Sequence, residues 1–221
     1  MTRAQWAIAI VLAVVAGYVD GYGLFRLGAY VSFMSGNTTT TGLNSGQGNF
    51  YAALPPAVAI VFFFAGCFFG SLLAQSRLRY SHRLIFGIIA VLLALAGFEP
   101  RLMRSTLFEV GTLSLAMGMM NPAFSRIGGE SVSLTFVTGT LKRAASDLAF
   151  AVKGAALPDS QGQLDTHLSR AVVHASLWSA FLIGATISGI ILSHIRTWAL
   201  LPPSAIMVAL AASRRFDRAV S

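Results

Sequence analysis

The chain is short of charge. Only 11% of its 221 residues are Asp, Glu, Lys or Arg, where a soluble domain carries charge at about a quarter of its positions. Acids are scarcest: eight Asp and Glu stand against sixteen Lys and Arg, a net of +8. So few charges cannot solvate the surface of a soluble domain. The single cysteine, Cys67, lies inside an apolar run, which excludes a disulfide framework and a thiolate metal site. The basic excess forms no stripe interleaved with aromatics, so nucleic acid is not an expected partner. There is no His-Glu-x-x-His, no Gly-x-Ser-x-Gly, and no span that pairs Ser with His and an acid at helical spacing. The chain is therefore not expected to be an enzyme, nor to carry a cofactor. His174, the lone histidine inside an apolar run, has no acid near it in sequence. It suits a buried hydrogen bond better than a metal.

What the chain does have is long apolar sequence: 55% of its residues are hydrophobic. A bilayer-spanning helix needs about 20 such residues. Six candidates run roughly from Gln5 to Tyr22, Leu54 to Ala74, Leu84 to Phe98, Thr106 to Met120, Ala171 to Ser193 and Trp198 to Ala212. The first continues past any small-residue cleavage site into Tyr18 and Asp20, so it reads as a retained helix rather than a signal peptide. The expected fold class is an all-α integral membrane protein, one domain over 1–221. Placing the N-terminus inside puts twelve Lys and Arg on the cytoplasmic side and four (Arg26, Arg101, Arg104, Arg196) outside. That bias predicts both termini in the cytoplasm. Eight full crossings would weaken it to ten against six.

Two polar stretches interrupt this pattern. "VSFMSGNTTTTGLNSGQG" (Val31–Gly48) is poor material for a spanning helix, and "LTFVTGTLKRA" (Leu134–Ala144) resembles its beginning. They belong to a repeat. "AGYVDGYGLFRLG" (Ala16–Gly28) resembles "AMGMMNPAFSRIGG" (Ala116–Gly129), with Gly17 on Gly118 and Asp20 on Asn121. "VSFMSGNT" resembles "LTFVTGTL", with Gly36 on Gly139. "FAGCFFGS" (Phe64–Ser71) resembles "LIGATISG" (Leu182–Gly189), with Gly66 on Gly184 and Gly70 on Ser188. Three blocks recur in one order, so the chain divides into repeats of about 4–98 and 104–213. Three spans per repeat is odd, and the second repeat enters the membrane from the opposite side. Inverted repeats of this kind recur in transporters, with the site at the repeat interface, where corresponding helices are interrupted.

An irregular backbone in lipid leaves N–H and C=O groups unsatisfied at several kcal/mol each. Each polar stretch is therefore expected to be a re-entrant or half-length segment, dipping in from opposite sides. The Ser/Thr-Gly step either breaks the backbone or starts a half-helix. Half-helix N-termini offer open donors and partial positive charge, which suits a small polar or anionic solute. The candidate solute-binding residues are Ser35, Gly36, Asn37, Thr38, Asn121, Thr138, Gly139 and Thr140. Asp20, the one acid deep in a predicted span, is the candidate for proton or ion coupling. Arg26 and Arg126 flank the motifs and either attract anions or anchor the interface. Gly66-x-x-x-Gly70 and Ala180-x-x-x-Gly184-x-x-x-Ser188 are small-residue ridges that either pack the repeats together or form a homodimer face. A noncatalytic membrane scaffold is the alternative function, and an intramembrane enzyme a weaker one.

Gly17-Tyr18-Val19-Asp20, Ser35-Gly36-Asn37, Gly118-Met119-Met120-Asn121 and Thr138-Gly139-Thr140 together resemble the motifs of the YoaK-like bacterial membrane proteins, domain-of-unknown-function family 1275. The resemblance covers nearly the whole chain, although Ser35 stands where Thr is expected and Met120 where Gln is common. It implies a six-helix protein of the bacterial inner membrane, in contact with the lipid bilayer, and brings no substrate.

Overall fold

A computed structural model describes residues 3–76, 78, 80–97, 105–124, 137–157, 160, 165–194 and 198–213. Among these residues the chain is all helix, with no strand. The elements are α1 (Arg3–Leu27), α2 (Met34–Gly46), α3 (Phe50–Gln75), α4 (Ser81–Gly97), α5 (Thr106–Phe124), α6 (Val137–Val152), α7 (His167–His194) and α8 (Leu201–Ala212). Three of them, α1, α3 and α7, are long and apolar enough to cross a membrane; α4 and α8 are shorter apolar helices. The expected spans are all present as helices. The first five are longer than expected, because helical backbone continues into the residues flanking each apolar run, and the sixth starts later, at Leu201.

The polar stretches are helices too. At 13 and 16 residues, α2 and α6 rise about 20–24 Å, short of the ~30 Å hydrocarbon core. The run of threonines joins α2 by turning its hydroxyls onto its own backbone. Thr38, Thr39 and Thr40 donate to the carbonyls of Met34, Ser35 and Gly36 at 2.8, 3.1 and 2.9 Å, and Asn44 Nδ2 donates to Thr40 O at 2.8 Å. Back-bonding of this kind hides polar groups that a soluble helix would give to water. Both helices end in the same way. Gly48 and Gly154 adopt φ of 73° and 60°. The N–H of each bonds three residues back, and the next N–H bonds five residues back, the hydrogen-bond pattern of a Schellman stop. After α2 the chain reverses at once, and the Asn49 side chain caps α3 by accepting from Ala52 N at 3.3 Å.

Two helix crossings hold the bundle: α1 lies along α7, and α3 along α5. Each depends on a facing pair of glycines. A Cβ on Gly17 would overlap the carbonyl of Phe181, three residues before Gly184, and one on Gly184 would overlap the carbonyl of Val14, three before Gly17. At the other crossing, Gly66 meets the carbonyl of Leu115, three before Gly118, and Gly118 meets that of Phe63, three before Gly66. One turn on, Gly21 faces Ser188, while Gly70 faces Met119 and Pro122. Small residues let the helix backbones approach in this way. The small-residue ridges are thus buried within the chain and are not a face for a second copy.

The partners fix the helix directions. Gly17 with Gly184 and Gly21 with Ser188 make α1 and α7 run the same way, and Gly66 with Gly118 and Gly70 with Pro122 do the same for α3 and α5. Late α1 meets early α5 through Tyr22 and Glu109. The helices α4 and α8 are opposed, joined by Ser204 Oγ on Ala90 O at 2.9 Å and by Gly97 against Leu200. The core gathers the inner faces of α1, α4, α5 and α7, and α5 is its most enclosed helix. The outward faces of α3 and α7 carry bare Phe64, Phe68, Phe69, Ile183 and Ile190.

Candidate functional site

The first polar motif is anchored from α1. Asp20, 6% exposed, accepts from the backbone N–H of Val31 and of Ser32 at 3.0 and 2.8 Å through one carboxylate oxygen. The chain leaves α1 at Leu27 and folds back to the level of Asp20, about two turns down the helix, before α2 begins. Asn37, 1% exposed, finishes the anchor. Its Oδ1 accepts from Tyr30 N at 3.1 Å and its Nδ2 donates to Tyr30 O at 2.6 Å. One side-chain amide thereby replaces a missing backbone partner at both ends of a peptide, as the cost of bare polar backbone requires. Ala29 packs with Ala59 and Val110 beneath the start of α2, with Met34 against them.

Ser35, Gly36 and Asn37 fall in the first turn of α2, and Thr138, Gly139 and Thr140 in the first turn of α6. Of the two expected roles, the Ser/Thr-Gly step starts a half-length helix. Gly36 is needed for a different reason from the one expected. A Cβ there would strike the Phe33 ring, which sits edge-on to Tyr30 at 5.1 Å, so the glycine admits an aromatic lid. Asn37 and Thr140, at equivalent places, are both buried, while Ser35, Thr38 and Thr138 are exposed and Gly139 is partly buried. Asn121 is partly buried and donates to Met117 O at 3.3 Å. The two motifs lie on separate helix pairs: α2 packs on α3 and α6 on α7, with no broad contact between α2 and α6. Residues 134–136 of the second motif and Arg126 lie outside the described residues.

Further polar contacts escaped the sequence reading. Tyr22 Oη donates to Glu109 Oε1 at 2.5 Å, so Glu109 joins α1 to α5, with partly buried Arg26 one turn on from Tyr22. Tyr18 Oη donates to Ala199 O at 2.5 Å. Trp6 Nε1 reaches Ser176 Oγ at 3.3 Å. His174, which has no acid near it in sequence, faces one: its Nε2 lies 3.8 Å from Asp147 Oδ2, and His167 Nδ1 lies 3.4 Å from Asp147 Oδ1. The signal for that pair was available. Asp147 is one of eight acids in the chain, and it stands on a helix short enough to need a partner.

The profile of a family described as "Protein of unknown function (DUF1275)" matches residues 8–213. A UPF0700 transmembrane protein of Rhizobium meliloti (strain 1021) is 32% identical over 146 residues, which cover 64% of this chain and 61% of that protein. The matched stretch thus spans less than two thirds of that relative. No solved structure matches the chain. With nearly its whole length inside the profile, and apolar helices like those a transmembrane relative needs, the chain belongs to the DUF1275 family of membrane proteins.

Proposed function

We propose that the protein is a secondary transporter or channel for a small polar or anionic solute, coupled to protons, with its site between two inverted halves. In this reading α1, α3, α4, α5, α7 and α8 cross the bacterial inner membrane with both termini cytoplasmic, the short apolar α4 and α8 crossing where the bundle thins the bilayer or shields their ends. The half-length helices α2 and α6 enter from opposite sides. One observation carries the reading: the crossings of α1 on α7 and of α3 on α5 are the same contact with the halves exchanged. Gly17 and Gly118 are repeat mates, as are Gly66 and Gly184, and all four meet a carbonyl three residues before the partner glycine. Inversion requires repeat mates α1 and α5 to run in opposed directions, and the meeting of late α1 with early α5 at Tyr22 and Glu109 supports that. Broken segments at matching places in two inverted halves mark where transporters hold their solutes.

The roles follow from the geometry. The first turns of α2 and α6 supply N–H donors and partial positive charge, with exposed Ser35 and Thr138 beside them. Asn37, Thr140 and Asn121 hold the motifs in shape. Asp20 couples the motif to protons through its anchor, since a protonated carboxyl is a weaker acceptor for the N–H groups of Val31 and Ser32. A scaffold needs neither buried anchor. The test uses purified protein in proteoliposomes, screened for uptake of small anions and polar metabolites under an imposed proton gradient. Uptake that is driven by the gradient and lost in Asp20→Asn is the expected result. Single-cysteine labelling should reach Asn44→Cys from outside and Ser160→Cys from the cytoplasm; the reverse pattern would sink the topology.

A further inference from the structure

We propose that Asp147, His167 and His174 form a proton-binding latch that ties α6 to α7 on the cytoplasmic side. Asp147 lies on α6, and the two histidines lie on α7, two turns apart. The three do not converge as metal ligands do, and among the described residues no such metal group occurs. Instead they form a row. His167 Nδ1 faces Asp147 Oδ1 at 3.4 Å, and its Nε2 faces the carbonyl of Ala156, beyond the Gly154 stop, also at 3.4 Å. A neutral imidazole carries one N–H and can serve only one of those acceptors; the cation carries two and serves both. His174 Nε2 faces the other carboxylate oxygen at 3.8 Å. Uptake of a proton by His167 therefore completes a row that runs from the α6–α7 connection to α6 itself. The proton comes from water on the cytoplasmic side, stays on the imidazole, and leaves by the same route.

The surrounding charges set the strength of this latch. On α6, Arg143 stands one turn before Asp147 and can reach the same carboxylate, while Lys142 is exposed. On α7, Arg170 is held by Asp165 through two bonds of 2.9 and 2.8 Å, which removes it as a competitor. The α7 N-terminus opposes added positive charge. On α1, which also packs on α7, Arg3 stands at this end together with the uncharged Gln5 and Trp6. Acid on the cytoplasmic side thus tightens α6 against α7, and neutral pH loosens it, as buried histidines do in other pH-sensitive contacts.

The flux arm of the test rests on the transporter reading, and the exchange arm does not. In the first arm, proteoliposome uptake is measured with the pH of each face set separately. Acidifying the cytoplasmic face from about pH 7.5 to about 6 should slow uptake in wild type and leave Asp147→Asn and His167→Gln unaffected. In the second arm, hydrogen exchange of the α6 amides is followed in nanodiscs, corrected for intrinsic rate. The same acidification should slow wild-type exchange by about fivefold, the scale of one ion pair, and neither variant should respond. A wild-type α6 whose exchange ignores pH, or an Asp147→Asn protein that keeps the response, overturns the latch whatever the flux shows. Absent uptake with a normal exchange response counts against the transporter and leaves the latch standing.

Discussion

The half-length helices α2 and α6 occupy matching places in the chain, start on matching Gly steps and end on the same glycine stop, yet they are tied down differently. The ties of α2 are a side-chain amide on the N–H and C=O of Tyr30 and a carboxylate on two backbone N–H groups. The tie of α6 is a carboxylate between two imidazoles. The two helices also differ by three residues in length, close to one turn. Where α6 carries Asp147, the alignment through Gly36 and Gly139 places Asn44 on α2, which spends its amide on its own helix. On the proposed reading of two repeated halves, the differences between α2 and α6 mark where a second, independent control can be added.

The largest effects should come from the features the halves share. Gly184→Leu and Gly66→Leu each drive a side chain into a backbone carbonyl that cannot move without separating two helices. Each should cost more than about 3 kcal/mol, the upper range for overpacked cores, and the two should be alike. Gly189→Leu, on the open face of α7 with nothing within 4 Å, should be nearly neutral. Thermal unfolding in detergent measures all three. Unequal losses at Gly184 and Gly66 would break the equivalence of the two crossings.

Much of this frame was legible in the residues. The pairing of Gly17 with Gly118 and of Gly66 with Gly184 in the alignment predicted that these glycines do the same job, because a backbone contact tolerates one residue type and keeps it visible. The half-length helices were legible in part. Composition made the threonine run poor material for a spanning helix, and at 13 residues α2 is shorter than the hydrocarbon core is thick, but composition gave no sign that hydroxyls bonded to carbonyls four residues back would let it be helical. The ties were not legible. Asp147 and His174 are 27 positions apart and meet only because α6 folds back along α7. Tyr22 and Glu109 come from different halves. Asn37 looked like a solute ligand for the same reason it makes a good anchor, since an amide offers a donor and an acceptor side by side.

Smaller effects should separate the two anchors of α2. Asn37→Ala leaves the N–H and C=O of Tyr30 without their partner in a buried place, which should cost about 2–3 kcal/mol. Asp20→Ala does the same to Val31 and Ser32. Asp20→Asn keeps an acceptor oxygen at the same position and should lose no more than about 1 kcal/mol. That contrast matters for function, because it lets the coupling role of Asp20 be tested in a protein that remains folded. If Asp20→Asn unfolds as readily as Asp20→Ala, the negative charge itself holds the linker, and the anchor is electrostatic instead of a matter of hydrogen-bond geometry.

The smallest expected effect concerns the glycines of α2. Gly42 meets nothing within 4 Å of where a Cβ would sit, so Gly42→Ala should stabilise the helix by up to about 1 kcal/mol, the ordinary difference in helix propensity. Gly36→Ala gains the same propensity but pushes on the Phe33 ring. Phe33 is exposed, 37% by area, so the ring can swing away. In doing so it gives up its edge-on contact with Tyr30, worth about 0.5–1.5 kcal/mol. The two terms nearly cancel, and Gly36→Ala should change stability by less than about 1 kcal/mol in either direction. The informative quantity is the difference between the substitutions, read in one unfolding assay: Gly42→Ala should melt higher than Gly36→Ala. If Gly36→Ala is as stabilising as Gly42→Ala, the aromatic lid carries no stability. If it is far more damaging than an exposed ring can explain, the first turn of α2 is held against something larger than Phe33, as a turn at the junction of two halves would be.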